Sequence, residues 1–390
     1  MSTLRFLTAG ESHGPALTAI LEGLPAGLTL TADDIAADLA RRQRGAGSGG
    51  RMAIEQDRAE ILGGVMASRT TGGPIALLIA NKDHAAWQGK AVPAFTIPRP
   101  GHADLAAAVK YGYDDFRLAL ERASARETAA RVAVGAVCRK YLEAFGIQIG
   151  GWVSAIGTFE ANTKGLLFPA CIERARESDV TCPDPDAAAR MRAAINQAGE
   201  QGETLGGVVS VVALGVPPGL GSHVHWDRKL TSRLAAAALG IPAAKGVEIG
   251  EAFDNAARTG TQAQDAIRME GNRIVRATNR CGGIEGGISN GQPILLRLAI
   301  KPIPTTRQPQ SSVDLATGVH AETRYERSDV CPVPRAVPVV EAAVAFVLAD
   351  ALLEKLGGDS LSEQQPRFAH LRAMTVDALK LDGNPRCFWP

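Results

Sequence analysis

The sequence has almost no net charge: 42 Lys and Arg face 41 Asp and Glu over 390 residues, a formal balance of +1. A chain so balanced is not an electrostatic sleeve for nucleic acid or an anionic membrane, although local patches stay open to it. Cysteine is sparse and scattered. Cys138, Cys171, Cys182, Cys281, Cys331 and Cys387 form no CxxC pair, and none stands at zinc spacing from a histidine, so they read as reduced thiols. His223 and His225 could share a strand face, but no third ligand stands nearby and no metal is expected. Long apolar runs are missing as well. The longest, over 336–353, is interrupted by Pro338, Glu341 and Asp350, which favours a buried helix over a membrane span. The amino-terminal residues hold one arginine and no apolar stretch, so no signal peptide is expected and the chain is assigned to the cytoplasm.

What is present is an ordinary globular composition. Hydrophobic residues make up 45% of the chain, enough at this length for two average domains or one large core. Disorder is excluded as the main state. Thr31-Ala-Asp-Asp34 reads as a capping box, with Ile35 and Leu39 following at helical spacing until Gly45. Ser124-Ala-Arg-Glu127 opens a second helix that ends at Gly146, with Ser124 as its cap and Glu127 closing the box. Stretches 227–239 and 339–356 also read as helices, the latter apolar on nearly every face and therefore central. Strands are expected at 4–8, 74–80, 147–156, 208–216 and 294–300. In the last, Ile294, Leu296, Leu298 and Ile300 share one face and Arg297 and Lys301 the other. Without a βαβ rhythm, this mixture predicts an α+β layered fold. Residues 1–356 are expected to form a single domain, followed by a polar and mobile tail over 357–390.

Several segments could carry chemistry. Gly45-Ala-Gly-Ser-Gly-Gly50 satisfies GxGxxG, yet it follows an arginine-rich helix instead of a strand, so it reads as a flexible loop whose backbone can approach an anion. Around it stand Arg41, Arg42, Arg44 and Arg51, either a solvated helix end or an anion site. Arg122, Ser124 and Arg126 favour the anion, because a helix start offers unpaired N–H donors to a phosphate. Several charge-assisted hydrogen bonds, each about 1.5–3 kcal/mol, can hold a small polyanion. His13 in Gly10-Glu-Ser-His-Gly14 and His102 in Arg99-Pro-Gly-His-Ala-Asp104 are candidate acid–base groups, with a structural histidine as the alternative for each. The glycine-rich stretch 281–291 either admits a flat ring or a phosphate to the main chain or merely links strands. Lys301-Pro-Ile-Pro-Thr-Thr306 is a candidate phosphate clasp. Asp329, in Arg327-Ser-Asp-Val-Cys331, reads first as a salt-bridge partner and second as a base.

Together these segments resemble the chorismate synthase family. The stretch 10–25 is similar to that family's amino-terminal signature, 121–137 to its central Ser-Ala-Arg signature, and 327–341 to its carboxy-terminal one. The resemblance implies a layered β-α-β sandwich, with helices between antiparallel sheets, assembled as a homotetramer. It implies a 1,4-anti elimination that turns 5-enolpyruvylshikimate 3-phosphate into chorismate and phosphate. That reaction needs reduced FMN, with NADPH a candidate reductant. On the same basis, His13 resembles the acid near the departing phosphate, His102 the residue that protonates the reduced flavin, and Asp329 a group near flavin N5. Ser12 and Ser124 resemble members of a proton relay. Arg42, Arg51, Arg126 and Arg131 are the implied substrate-binding residues. The implied FMN contacts are Arg122, Ala123, Ser124, Pro242, Ala243, Gly286, Lys301, Pro302, Ile303, Pro304, Thr305 and Arg327. Ser48 stands where the family has an arginine, and Arg44 is a candidate replacement. An FMN oxidoreductase and a non-catalytic anion-binding protein are the alternatives from other classes.

Overall fold

A computed structural model describes residues 4–47, 57–326, 328–371, 373–379 and 381–389. Two antiparallel sheets frame it. The first contains β1 (Arg5–Ala9), β2 (Ala16–Glu22), β3 (Ala59–Gly63) and β4 (Ile75–Ala80) in the order β1-β2-β4-β3. Its register sets Leu17 opposite Ile79 and Leu21 opposite Ile75, all four buried, while Ile20 between them points out. Period-2 alternation thus gives the sheet one core face.

The second sheet contains β5 (Gln148–Ile156), β6 (Gly207–Leu214), β7 (Ala244–Ile249) and β8 (Ile294–Ile300), ordered β7-β8-β6-β5 with the short strand Phe159–Glu160 at its edge. In β8, Ile294, Leu296, Leu298 and Ile300 are buried and Arg297 is exposed, the predicted alternation.

Four helices fill the space between the sheets: α1 (Ala32–Gln43), α2 (Thr128–Glu143), α3 (Leu230–Leu239) and α4 (Val333–Leu356). Helix α2 packs on β2 and β4, α4 packs on β5 and β6, and the two helices lie against each other. This is the layered sandwich. The helices come close together where Gly135 faces Ala342: a Cβ on Gly135 would lie 2.2 Å from the Ala342 Cβ. Only a residue without a side chain fits that crossing.

Helix α4 is apolar, and 83% of its most hydrophobic window is buried inside the molecule, so its hydropathy belongs to the core. It begins at Val333, six residues before the expected start at 339. Pro334 sits in the first turn, where no intrahelical N–H is needed, and Pro338 forfeits one hydrogen bond without ending the helix. Charged groups also lie deep in this layer. Glu341 is fully buried, and its carboxylate takes a fork from Arg41 (2.6 and 2.8 Å) and a bond from Arg139 (2.8 Å). Burial works against this carboxyl, but the two guanidiniums hold it down at about 2.

Beyond Gly357 the polar stretch starts with a docked helix, Leu361–Ala369. The capping box at Ser360 and Glu363 starts it, Leu361 and Phe368 pack on the core, and buried Gln364 accepts from the Tyr141 hydroxyl at 2.8 Å. The polarity of this segment is therefore that of a helix with one buried face, while Leu381, Phe388 and Trp389 farther on are exposed.

Candidate active site

One end of the sandwich gathers the loops. The turn after β1, the segment after β4, the first turns of α2 and α4, the last turn of α1 and the exits from α3 and β8 surround a single cavity of about 840 Å³. Eight Lys or Arg residues line it against four carboxylates, a strong local excess in a chain whose net charge is +1. Such a cavity holds a drug-sized ligand or two small ones, and it favours anions.

The cationic floor is built from buried arginines. Arg42, in the last turn of α1, donates to Thr128 Oγ1 (3.0 Å) and to the Ala125 carbonyl (2.7 Å). Burial, then the nearby charges of Arg335 and Arg126, push its guanidinium down to about 9, so it is still cationic at neutral pH. Arg126 donates to Asn81 Oδ1 (2.8 Å) and to Asp57 (2.5 Å). Arg335 donates to the Arg42 carbonyl (3.0 Å) and forms an ion pair with Asp329. The reading of Asp329 as a salt-bridge partner therefore finds its partner in the first turn of α4. Arg131 lines the cavity too, fixed by Glu127 (2.8 Å) and the Gly240 carbonyl (2.8 Å).

Both candidate histidines line the cavity, each backed by a carboxylate on Nδ1. His13 Nδ1 lies 2.6 Å from Glu121 Oε1, and His102 Nδ1 lies 2.6 Å from Asp104 Oδ1. Burial opposes ionisation of Glu121, yet hydrogen bonds from His13 and the charge of Arg117 hold it below the usual carboxylate range. Asp104 is fully buried, and Arg99 and His102 together hold its carboxyl far below that range. Arg99 grips Asp104 through Nε (2.8 Å) and NH2 (2.9 Å) and reaches Thr305 Oγ1 at 3.2 Å.

Ser124 caps its turn by accepting from the Arg126 N–H (3.2 Å), and its hydroxyl donates to Ser12 Oγ at 3.1 Å. The capping box is not closed as expected. Glu127 turns instead to the Thr8 hydroxyl (2.6 Å) and Arg131, because those donors offer stronger partners than a helix N–H. Arg122 reaches Thr8 Oγ1 at 2.9 Å.

Elsewhere in the lining, Lys301 Nζ donates to the Gly101 carbonyl (2.6 Å). Ala243 holds a left-handed φ of 65°, with its carbonyl accepting from the Lys301 N–H at 3.0 Å. Such a backbone is costly for a residue with a side chain and clusters at functional sites.

The structure thus brings Ser12, His13, Arg42, His102, Arg122, Ala123, Ser124, Arg126, Arg131, Pro242, Ala243, Lys301, Ile303, Pro304, Thr305 and Asp329 to one cavity. It does not bring Gly286, which turns a hairpin between Ile284–Glu285 and Ile288–Ser289, nor Pro302, nor Arg44, which ends α1 with its side chain exposed. Arg51, Ser48 and Arg327 lie outside the described residues. Arg99 and Arg335, which line the cavity, and Glu121 and Asp57, which hold side chains that line it, are not among the site residues expected from the sequence. Cys331, next to Pro332 of the cavity lining, is buried, and that burial pushes its thiol up to about 12, so the thiolate is disfavoured there.

These features define a class first: a protein of mixed layers with one cavity that gathers two carboxylate-backed histidines above a floor of buried arginines. A family model described as chorismate synthase matches residues 4–353. Curated chorismate synthases are similar throughout. That of Moorella thermoacetica is 55% identical over 378 residues, covering 95% of this chain and 98% of its own length. That of Aquifex aeolicus is 52% identical over 385 residues, covering 94% and 96%. A crystal structure of chorismate synthase matches with a TM-score of 0.78 at 45% identity, covering 94% of this chain and 96% of that one. The chain belongs to the chorismate synthase family, lyases of the shikimate pathway.

Proposed function

We propose that this chain catalyses the 1,4-anti elimination of phosphate from 5-enolpyruvylshikimate 3-phosphate, giving chorismate, in the cytoplasm and as a homotetramer using reduced FMN. The observation that carries the reading is the convergence of His13, His102 and the buried arginines Arg42, Arg126 and Arg335 on one cavity.

The residues present fit a flavin phosphate. Ile241, Pro242, Ile303 and Pro304 supply an apolar wall for a flat ring, while Lys301, Arg122 and the Thr305 hydroxyl supply donors for a phosphate. When bound, reduced FMN supplies electron density that weakens the carbon–oxygen bond to phosphate and recovers it as the carbon–hydrogen bond breaks. His102, with Nδ1 on Asp104, would exchange a proton with the flavin, and Asp329 would lie near it.

The chain's own part is binding and proton delivery. Arg42, Arg126 and Arg131 hold the substrate's phosphate and carboxylates, and a water-poor floor strengthens each contact. His13 gives a proton to the departing phosphate, which makes it a better leaving group. Ser12 and Ser124, linked through their hydroxyls, hold a proton path beside it.

Anaerobic phosphate release with and without pre-reduced FMN tests the reading. Many turnovers of phosphate per reduced flavin are expected. Loss of one reduced flavin per product would instead identify a flavin oxidoreductase, and release without any flavin would remove FMN from the reaction.

A further inference from the structure

Glu121 holds two neighbouring residues at once. Its carbonyl accepts from the Ser12 N–H (3.1 Å), and Oε2 accepts from the His13 N–H (2.7 Å) while Oε1 faces the His13 ring at Nδ1 (2.6 Å). Two further contacts belong to this setting: His84 Nδ1 donates to the His13 carbonyl at 2.9 Å, and Trp87 lies against the imidazole with ring centroids 4.3 Å apart. Glu121 itself does not line the cavity, whereas His13 does. What the Glu121 carboxylate contributes to chemistry therefore passes through His13.

An ionised carboxylate can only accept, so the short contact requires a proton on Nδ1. Proton transfer to a ligand then falls to Nε2. We propose that Glu121 is a positioning residue that locks His13 in one orientation and in the Nδ1–H tautomer, which directs its acid function through Nε2. The proposal rests on the reading of His13 as the acid. The imidazolium gives its Nε2 proton to the departing phosphate oxygen and is left neutral with hydrogen on Nδ1, the form the carboxylate already holds. Reprotonation at Nε2 restores the starting state, and no tautomer exchange is needed between turnovers.

The test has a spectroscopic and a kinetic arm. The chain has seven histidines, so ring-15N spectra of histidine-labelled protein without cofactor are tractable, with His13→Asn to assign the signal. His13 is expected as the Nδ1–H tautomer at a pH where it is neutral, and as a mixture of tautomers in Glu121→Ala. With pre-reduced FMN, Glu121→Ala is expected to lower kcat about tenfold or more while KM stays within about twofold. Glu121→Gln should recover part of the loss, because its amide oxygen still accepts from Nδ1–H. Adding Glu121→Ala to His13→Ala should cost nothing further. If Glu121→Ala does not fold, Glu121→Met, close in length and without an acceptor oxygen, takes its place. An unchanged tautomer, or a further loss in the His13→Ala background, overturns the positioning role. Full turnover in His13→Ala, even where the unsubstituted chain shows the Nδ1–H tautomer, overturns the acid role of His13, and with it the catalytic part of the proposal.

Discussion

Arg42 and Arg126 meet on a single carboxylate: Asp57 Oδ1 lies 2.5 Å from Arg126 NH1 and Oδ2 lies 3.3 Å from Arg42 NH1. All three residues are buried. The pair of guanidiniums on this carboxylate gathers positive charge at the cavity floor, which an anionic ligand complements.

Arg42→Ala leaves Asp57 paired with Arg126 and takes one cation from the floor. The expected outcome is a rise in substrate Kd of about ten- to a hundredfold, the equivalent of losing one charge-assisted contact. Calorimetric titration checks it. Unchanged affinity would take Arg42 out of the substrate site and leave it as a brace between α1 and the start of α2.

His13→Ala should separate binding from chemistry. The arginine floor is untouched, so substrate affinity is expected to stay within about threefold, whereas phosphate release slows by roughly a hundredfold or more, as befits a lost general acid. Single-turnover release from pre-reduced enzyme is the measurement, and a near-normal rate excludes His13 from the leaving-group step.

How far the sequence disclosed this site depends on the kind of signal each part carries. The alternation in β8 and the box at Thr31 are local. They were readable, and Asp34 does accept from both the N–H and the hydroxyl of Thr31. The helix Pro185–Glu200 went unread although Asp184 caps it and Pro185 opens it, because its alanine-rich face gives weak apolar periodicity. Arg335 precedes the helix start expected at 339, whereas the helix begins at Val333 and holds Arg335 in its first turn. Glu121 and Asp57 act only as partners of residues distant in sequence, and no spacing rule could pair Glu121 with His13 or Asp57 with Arg126. The resemblance supplied candidate residues, but the carboxylates that orient them emerge only from the fold.

Gly135→Ala tests the packing on which the layers depend. The added Cβ would overlap Ala342, and the backbones of α2 and α4 must separate to admit it. A loss of about 1–3 kcal/mol or more is expected, read as a lower thermal midpoint. Ala342→Gly in the same chain should recover part of that loss. An additive double variant would mean that the two helices do not meet at this pair.

Glu341 gives the inner layer its pH dependence. Its carboxyl is held at about 2 in the folded chain against an ordinary value of 4.5, a difference worth about 3 kcal/mol. Because the folded value is depressed, the contribution is complete above about 4.5 and is lost as pH falls from there toward 2. Glu341→Gln leaves Arg41 and Arg139 to share Asp38 alone and is expected to cost about 3 kcal/mol near neutrality. Denaturant unfolding of both proteins between neutral and acid pH checks the sign. The gap in stability between them should narrow steadily below about pH 4.5, and a gap independent of pH would mean that this carboxyl is not the ionised partner of the two arginines.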